Sequence, residues 1–83
     1  MKKDQFIKIE TTSNKREVLK QIGQELINKK LSPCIYIQEN ILTQYLWKDE
    51  IVTEMEHKLT IKSILENTQE IQKIIKKMHN YKI

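Results

Sequence analysis

Few side chains in this sequence are equipped for chemistry. It has a single cysteine, Cys34, and two histidines, His57 and His79. A thiolate next to an imidazole can act as a nucleophile, and a soft thiolate is a ligand for copper or zinc. The spacing spells out neither arrangement. No second cysteine and no near histidine accompanies Cys34 along the chain, so a closed metal site cannot be assembled from one copy. There is no Ser-His-Asp pattern, no glycine-rich phosphate loop and no paired-carboxylate motif, and the chain does not read as an enzyme. Cys34 follows Pro33 at the start of an apolar run, which favours a small buried residue at a strand start. His57 alternates with Leu59 and Ile61 and reads as half-buried. His79 closes a helix, where a cation suits the dipole.

The elements that position these residues follow from periodicity. Residues 5–12 alternate around Ile7 and Ile9 and predict a strand. Asn14 with Glu17 three residues on predicts a capped helix start. Val18, Leu19, Ile22, Leu26 and Ile27 then form a buried stripe to about Lys29, with Gly23 on it. A mid-helix glycine costs about 1 kcal/mol against alanine, which points to a close approach of helix to sheet. Pro33 ends the helix, because the residue before a proline is pushed out of the α region. Residues 34–38 predict a strand, Glu39-Asn40 a break or bulge, and residues 41–47 a continuation. Lys48-Asp49-Glu50 is the reversal. Residues 51–63 return with Met55, His57, Leu59 and Ile61 on one face and Glu54, Glu56, Lys58, Thr60 and Lys62 on the other. Asn67 and Glu70 repeat the capping pair before Ile71, Ile74, Ile75 and Met78, one clean helical face ending at His79-Asn80. The order is β-α-β-β-α, the α+β plan of a ferredoxin-like split βαβ sandwich. Only residues 81–83 remain for the last strand, so the fold reads as one strand short. A substitute from those residues, a borrowed strand or an exposed first-strand edge is expected.

The central hairpin has a consequence for assembly. Residues 33–47, continuously extended, span roughly 45–50 Å at about 3.3 Å per residue. A globule of this length has a radius of gyration of about 12 Å and a diameter near 30 Å. The hairpin tip must overhang its own core, and the overhang carries Leu42, Tyr45, Leu46, Trp47, Ile51 and Val52. Such side chains call for another surface, so an oligomer is expected, with Tyr45, Leu46 and Trp47 as interface anchors.

With 83 residues the chain is a single domain, residues 1–83. Its formal charge is +4, with fifteen basic and eleven acidic residues interleaved. That is a solvated surface more than a polycationic tail. A small basic nucleic-acid-binding module is the alternative, resting on the charge and on Lys73, Lys76 and Lys77; against it stands the lack of the aromatic-rich strands that stack bases, so a nucleic-acid partner is not expected. The start of the chain leaves no room for the apolar core of a signal peptide, and no run approaches the roughly 18 apolar residues of a membrane span. A lone thiol fits a reducing compartment, the cytoplasm.

Taken in order, these pieces resemble the CutA divalent-cation tolerance family over nearly the whole chain. The resemblance is carried by Thr11-Thr12 at the first strand's end, Leu31 with Cys34, Tyr45 with Trp47 at the hairpin tip, Glu56 on the return strand, Ile61-Lys62, and His79 with Tyr81. It implies a ferredoxin-like homotrimer whose long hairpins pack around neighbouring subunits, and a role in tolerance of copper and other divalent metals without an established reaction. The residues themselves offer a metal site shared between subunits, with His79 as nitrogen donor, Glu56 as oxygen donor and Cys34 as thiolate. A ligand cleft with Lys62, Tyr81 and Thr11 is implied as well. The chain departs from the family where Asp49 replaces a glycine, where Thr11 replaces a cysteine that some members carry, and where Lys82 replaces a glutamate. No cofactor is certain; copper or another divalent metal is the one implied.

Overall fold

The computed structural model describes residues 5–80. The elements are β1 (Phe6–Ser13), α1 (Arg16–Asn28), β2 (Cys34–Trp47), β3 (Glu50–Ile64), a short 3-10 turn (Leu65–Asn67) and α2 (Thr68–Met78). The strands form one antiparallel sheet in the order β1-β3-β2. This is the expected α+β, ferredoxin-like arrangement. β3 sits centrally because it is the return limb of the hairpin and also the partner of β1. On the second edge β1 has no further neighbour among the described residues, and the expectation of a substitute strand from residues 81–83 lies outside them.

Strand alternation decides which face takes the helices. Ile35, Ile37, Leu59, Ile61 and Ile9 share one face, and the helices lie on it. Leu19, Ile22 and Leu26 of α1, Ile71 of α2, and Leu59 and Ile61 of β3 are fully buried. Gly23 lies at the closest approach: a Cβ there would meet Ile35 Cδ1 at 2.9 Å. The sequence expectation of a close helix–sheet contact at that residue holds.

Both predicted caps take other roles. The N-cap of α1 is Lys15, without a side-chain cap bond. Its amide donates to Ser13 Oγ at 3.0 Å, while Asn14 Oδ1 accepts from Asn80 Nδ2 at 3.0 Å. Asn67 does stand at the N-cap of α2, but it makes no cap bond. Its amide donates instead to the Leu31 carbonyl (3.1 Å) and Ser63 Oγ (3.2 Å), and Ser63 Oγ itself donates to Leu31 at 2.6 Å. A part-buried carbonyl left over after α1 outcompetes the local amide, because an unpaired acceptor shielded from water is the costlier loss.

Candidate functional site

The hairpin formed by β2 and β3 continues well past the body. The turn is two residues long, Lys48 and Asp49, closed by the Trp47–Glu50 pair. Both turn residues have positive φ, 50° and 64°. That is the primed turn whose twist matches the strands, and aspartate is among the few non-glycine residues that accept it. The expected break at Glu39-Asn40 is a register shift between Gln38 and Ile41, where Asn40 takes φ 58°. Its amide donates to His57 Nδ1 at 3.2 Å, so His57 is half-buried as expected and also ties the bulge to β3. Arg16 of α1 pairs with Glu39 and braces the base of the arm.

The molecule measures 51 × 23 × 21 Å, with a radius of gyration of 14.2 Å against the roughly 12 Å of a compact chain of this length. Beyond the bulge the register puts Leu42 opposite Met55 and Leu46 opposite Ile51 on the face continuous with the core. The other face pairs Thr43 with Glu54, Tyr45 with Val52 and Trp47 with Glu50. Leu42 (63%), Leu46 (71%), Trp47 (59%) and Ile51 (74%) are exposed, so the single chain covers neither face of its own arm. The overhang expected from strand length is thus present, with its apolar cargo.

A polar ladder runs along the second face. Thr43 Oγ1 lies 3.1 Å from Glu56 Oε1 and 3.2 Å from the Glu54 carbonyl, and Tyr45 donates its hydroxyl to Glu54 Oε1 at 3.0 Å. Glu56 is thereby held at 8% exposure, low for a carboxylate. The hydrogen bond to Glu54 raises the Tyr45 pKa above the usual 10.0, with desolvation and the nearby Glu54 and Glu56 charges acting in the same direction. Neither Thr43 nor Glu54 was singled out from the sequence. Once the turn is placed at Lys48-Asp49, counting back along both strands makes them opposite, which is the signal that finds them.

The expected metal donors are not brought together in one copy. His79 Nε2 lies 2.6 Å from the Thr12 carbonyl and donates to it, which commits that nitrogen. Thr12 pairs with Lys58 and Ser13 with His57, so His79 and Glu56 lie toward the same end of the sheet. Cys34 pairs with Lys62, six positions from Glu56 along β3, about 20 Å away at strand rise. Cys34 is also exposed, not buried as the sequence suggested, because it falls on the face opposite Ile35 and Ile37. No group of three or more His, Cys, Asp or Glu side chains able to hold a metal exists among the described residues. Among the described residues, the donor set of one copy therefore does not fit a metal.

The expected ligand cleft also divides. Thr11, half-buried, pairs with Leu59 on the helix-bearing face and lines a shallow groove against Gln69 and Gln72 of α2. Lys62 is exposed on the opposite face, its ammonium 5.7 Å from the Tyr36 ring. Tyr81 lies outside the described residues. Tyr45, Leu46 and Trp47 do cluster at the arm tip, with Lys48 Nζ 5.8 Å from the Trp47 ring.

An extended arm on a three-stranded split βαβ body is a distinctive outline, and comparison with known proteins agrees with it. The profile of the CutA1 divalent ion tolerance protein family matches residues 7–83. The chain belongs to that family. It is 32% identical over 75 residues to a probable divalent-cation tolerance protein cutA homolog of Encephalitozoon cuniculi, a match covering 90% of this chain and 65% of that protein. It is 32% identical over 76 residues to the divalent-cation tolerance protein CutA of Thermotoga maritima, covering 92% and 74%. The chain thus spans slightly less than two thirds of the length of the Encephalitozoon relative. Among solved structures, CutA1 from Ehrlichia chaffeensis superposes with a TM-score of 0.89 at 28% identity, covering 96% of this chain and 75% of that one. The periplasmic divalent cation tolerance protein CutA from Archaeoglobus fulgidus gives 0.86 at 27% identity, covering 94% and 76%. The ferredoxin-like reading and the family resemblance drawn from the motifs are both correct.

Proposed function

We propose that this protein serves divalent-cation tolerance as a homotrimer in which each arm is sheltered by neighbouring copies, and that it binds copper, another divalent metal or a small ligand in the clefts between copies. The observation that carries this reading is the arm, whose two faces both present apolar side chains to water (Leu42 and Ile51 on one, Trp47 on the other). Patches of that extent on a lone soluble chain mark contact surfaces. The split of the donor set supports a shared site. His79 and Glu56 lie at one end of the sheet and Cys34 at the other, so a closed shell needs donors from a second copy. The role is binding, not catalysis, and the exposed Cys34 thiol favours a reducing compartment such as the cytoplasm.

Light scattering with in-line chromatography tests the assembly: the expected mass is three times the 10.0 kDa of one chain. A stable, folded single copy at micromolar concentration would overturn the reading. Calorimetric titration of the assembled protein with Cu(II) and Zn(II) tests the binding. Uptake that weakens in His79→Ala and Glu56→Gln is the expected result, and undiminished uptake in both would remove the shared site.

A further inference from the structure

At the end of the sheet away from the arm, the start of β1, the end of β3 and the α1–β2 connection border an open hollow of about 630 Å³. That lies within the roughly 300–1,000 Å³ of small-molecule sites. Phe6, Leu31, Pro33 and Ile64 make its apolar wall, and Lys8, Lys30 and Lys62 stand around it. Phe6 is 87% exposed, an unusual state for the chain's single phenylalanine.

Each lysine stands where a local rule argues against it. Lys8 and Lys62 are directly opposite each other in the β1–β3 ladder. Like charges in that relation are destabilising. Lys30 has φ 60°, the left-handed position after a helix where glycine or asparagine is usual. Among the described residues, no carboxylate lies within ion-pair distance of any of the three. Further along the same face, by contrast, Lys58 has Glu10 at 3.3 Å. Three cations set against their local preferences around an apolar hollow, with no counter-charge among the described residues, are what an anionic guest would stabilise.

We propose that this hollow binds a small organic anion, its carboxylate or phosphate head held by Lys8, Lys30 and Lys62 and its apolar body lying on Phe6, Leu31 and Ile64. The whole lining comes from one copy. Lys62 reaches the head group by swinging from Tyr36, over whose ring it now lies. Lysines, as flexible point charges, suit an oxyanion of either geometry.

The test is NMR titration of the intact chain with sodium octanoate, mono-octyl phosphate, 1-octanol and inorganic phosphate. Octanoate or octyl phosphate should shift Phe6, Leu31 and Ile64 at concentrations where 1-octanol and inorganic phosphate do not, since neither the tail nor the head suffices alone. The tighter of the two anions identifies the head group. Lys8→Gln and Lys62→Gln should each weaken that anion about two- to fivefold, the scale of an exposed charge contact. Lys30→Gly is the sharper variant. It removes the charge and relieves the positive φ, so the melting temperature should rise while the anion binds more weakly. Equal binding of octanol and octanoate, shifts confined to Leu46 and Trp47 on the arm, or unchanged affinity in the lysine variants would each overturn the assignment.

Discussion

Tyr45 shows how one hydrogen bond sets a side chain's chemistry. Its phenol donates to Glu54 Oε1 at 3.0 Å, and that bond is the largest cause of a pKa raised above 10.0. Ionising Tyr45 would place a phenolate against the Glu54 and Glu56 carboxylates. The folded chain therefore holds this proton more tightly than the unfolded one. Its contribution is fully present below pH 10 and is lost as pH rises through the higher folded value. Absorbance titration at alkaline pH should show Tyr45 ionising above pH 10, and Glu54→Ala should bring that phase down. A titration unaltered by Glu54→Ala would mean that the bond is not made in solution. The residue types here were visible in the sequence; their pairing was not, because it depends on the exact turn position. Cys34 teaches the converse. Its type and its place after Pro33 suggested burial, yet strand parity, set by the neighbouring Ile35 and Ile37, turns it outward.

Elements were more legible than residues. The stripes of α1 and α2, the alternation in β1 and β3 and the bulge at Glu39-Asn40 were readable, because each rests on a period or a break that needs no knowledge of distant partners. The caps were not, because Asn14 and Asn67 bond to Asn80 and Leu31, which sequence spacing does not place beside them. Gly23 joins both kinds of information. Helix propensity alone would favour almost any other residue there, by up to about 1 kcal/mol. The contact with Ile35 decides otherwise, since even a Cβ would lie 2.9 Å from Ile35 Cδ1 and 3.2 Å from Cγ1. Gly23→Ala should change stability little, because the end of Ile35 can turn aside and the propensity gain offsets the strain. Gly23→Leu should lose at least about 2 kcal/mol by overpacking the helix–sheet seam, read as a lower midpoint in urea unfolding. A stable Gly23→Leu chain would show that α1 stands further from the sheet than described.

At the scale of the whole molecule, stability and assembly reside in different places. The fully buried apolar set, Leu19, Ile22, Leu26, Leu59, Ile61 and Ile71, lies in the body. The arm beyond Ile41 adds backbone pairing but no residue to that set. Its apolar side chains are therefore free to serve contacts between copies, and changing them should leave the body folded. Replacing Leu42, Leu46, Ile51 and Met55 with serine strips the face continuous with the core while keeping the turn and the ladder. Burying one such side chain is worth about 1.5–3 kcal/mol, so each serine should weaken association roughly ten- to a hundredfold. The quadruple variant should run as a single 10.0 kDa chain at micromolar concentration, with the far-ultraviolet signature of both helices retained. An assembly of undiminished mass would mean that copies meet elsewhere, and collapse of the helices with the arm would mean that the body borrows its stability from its neighbours. The retained fold and the lost mass together distinguish an arm that only connects copies from one that also completes the core.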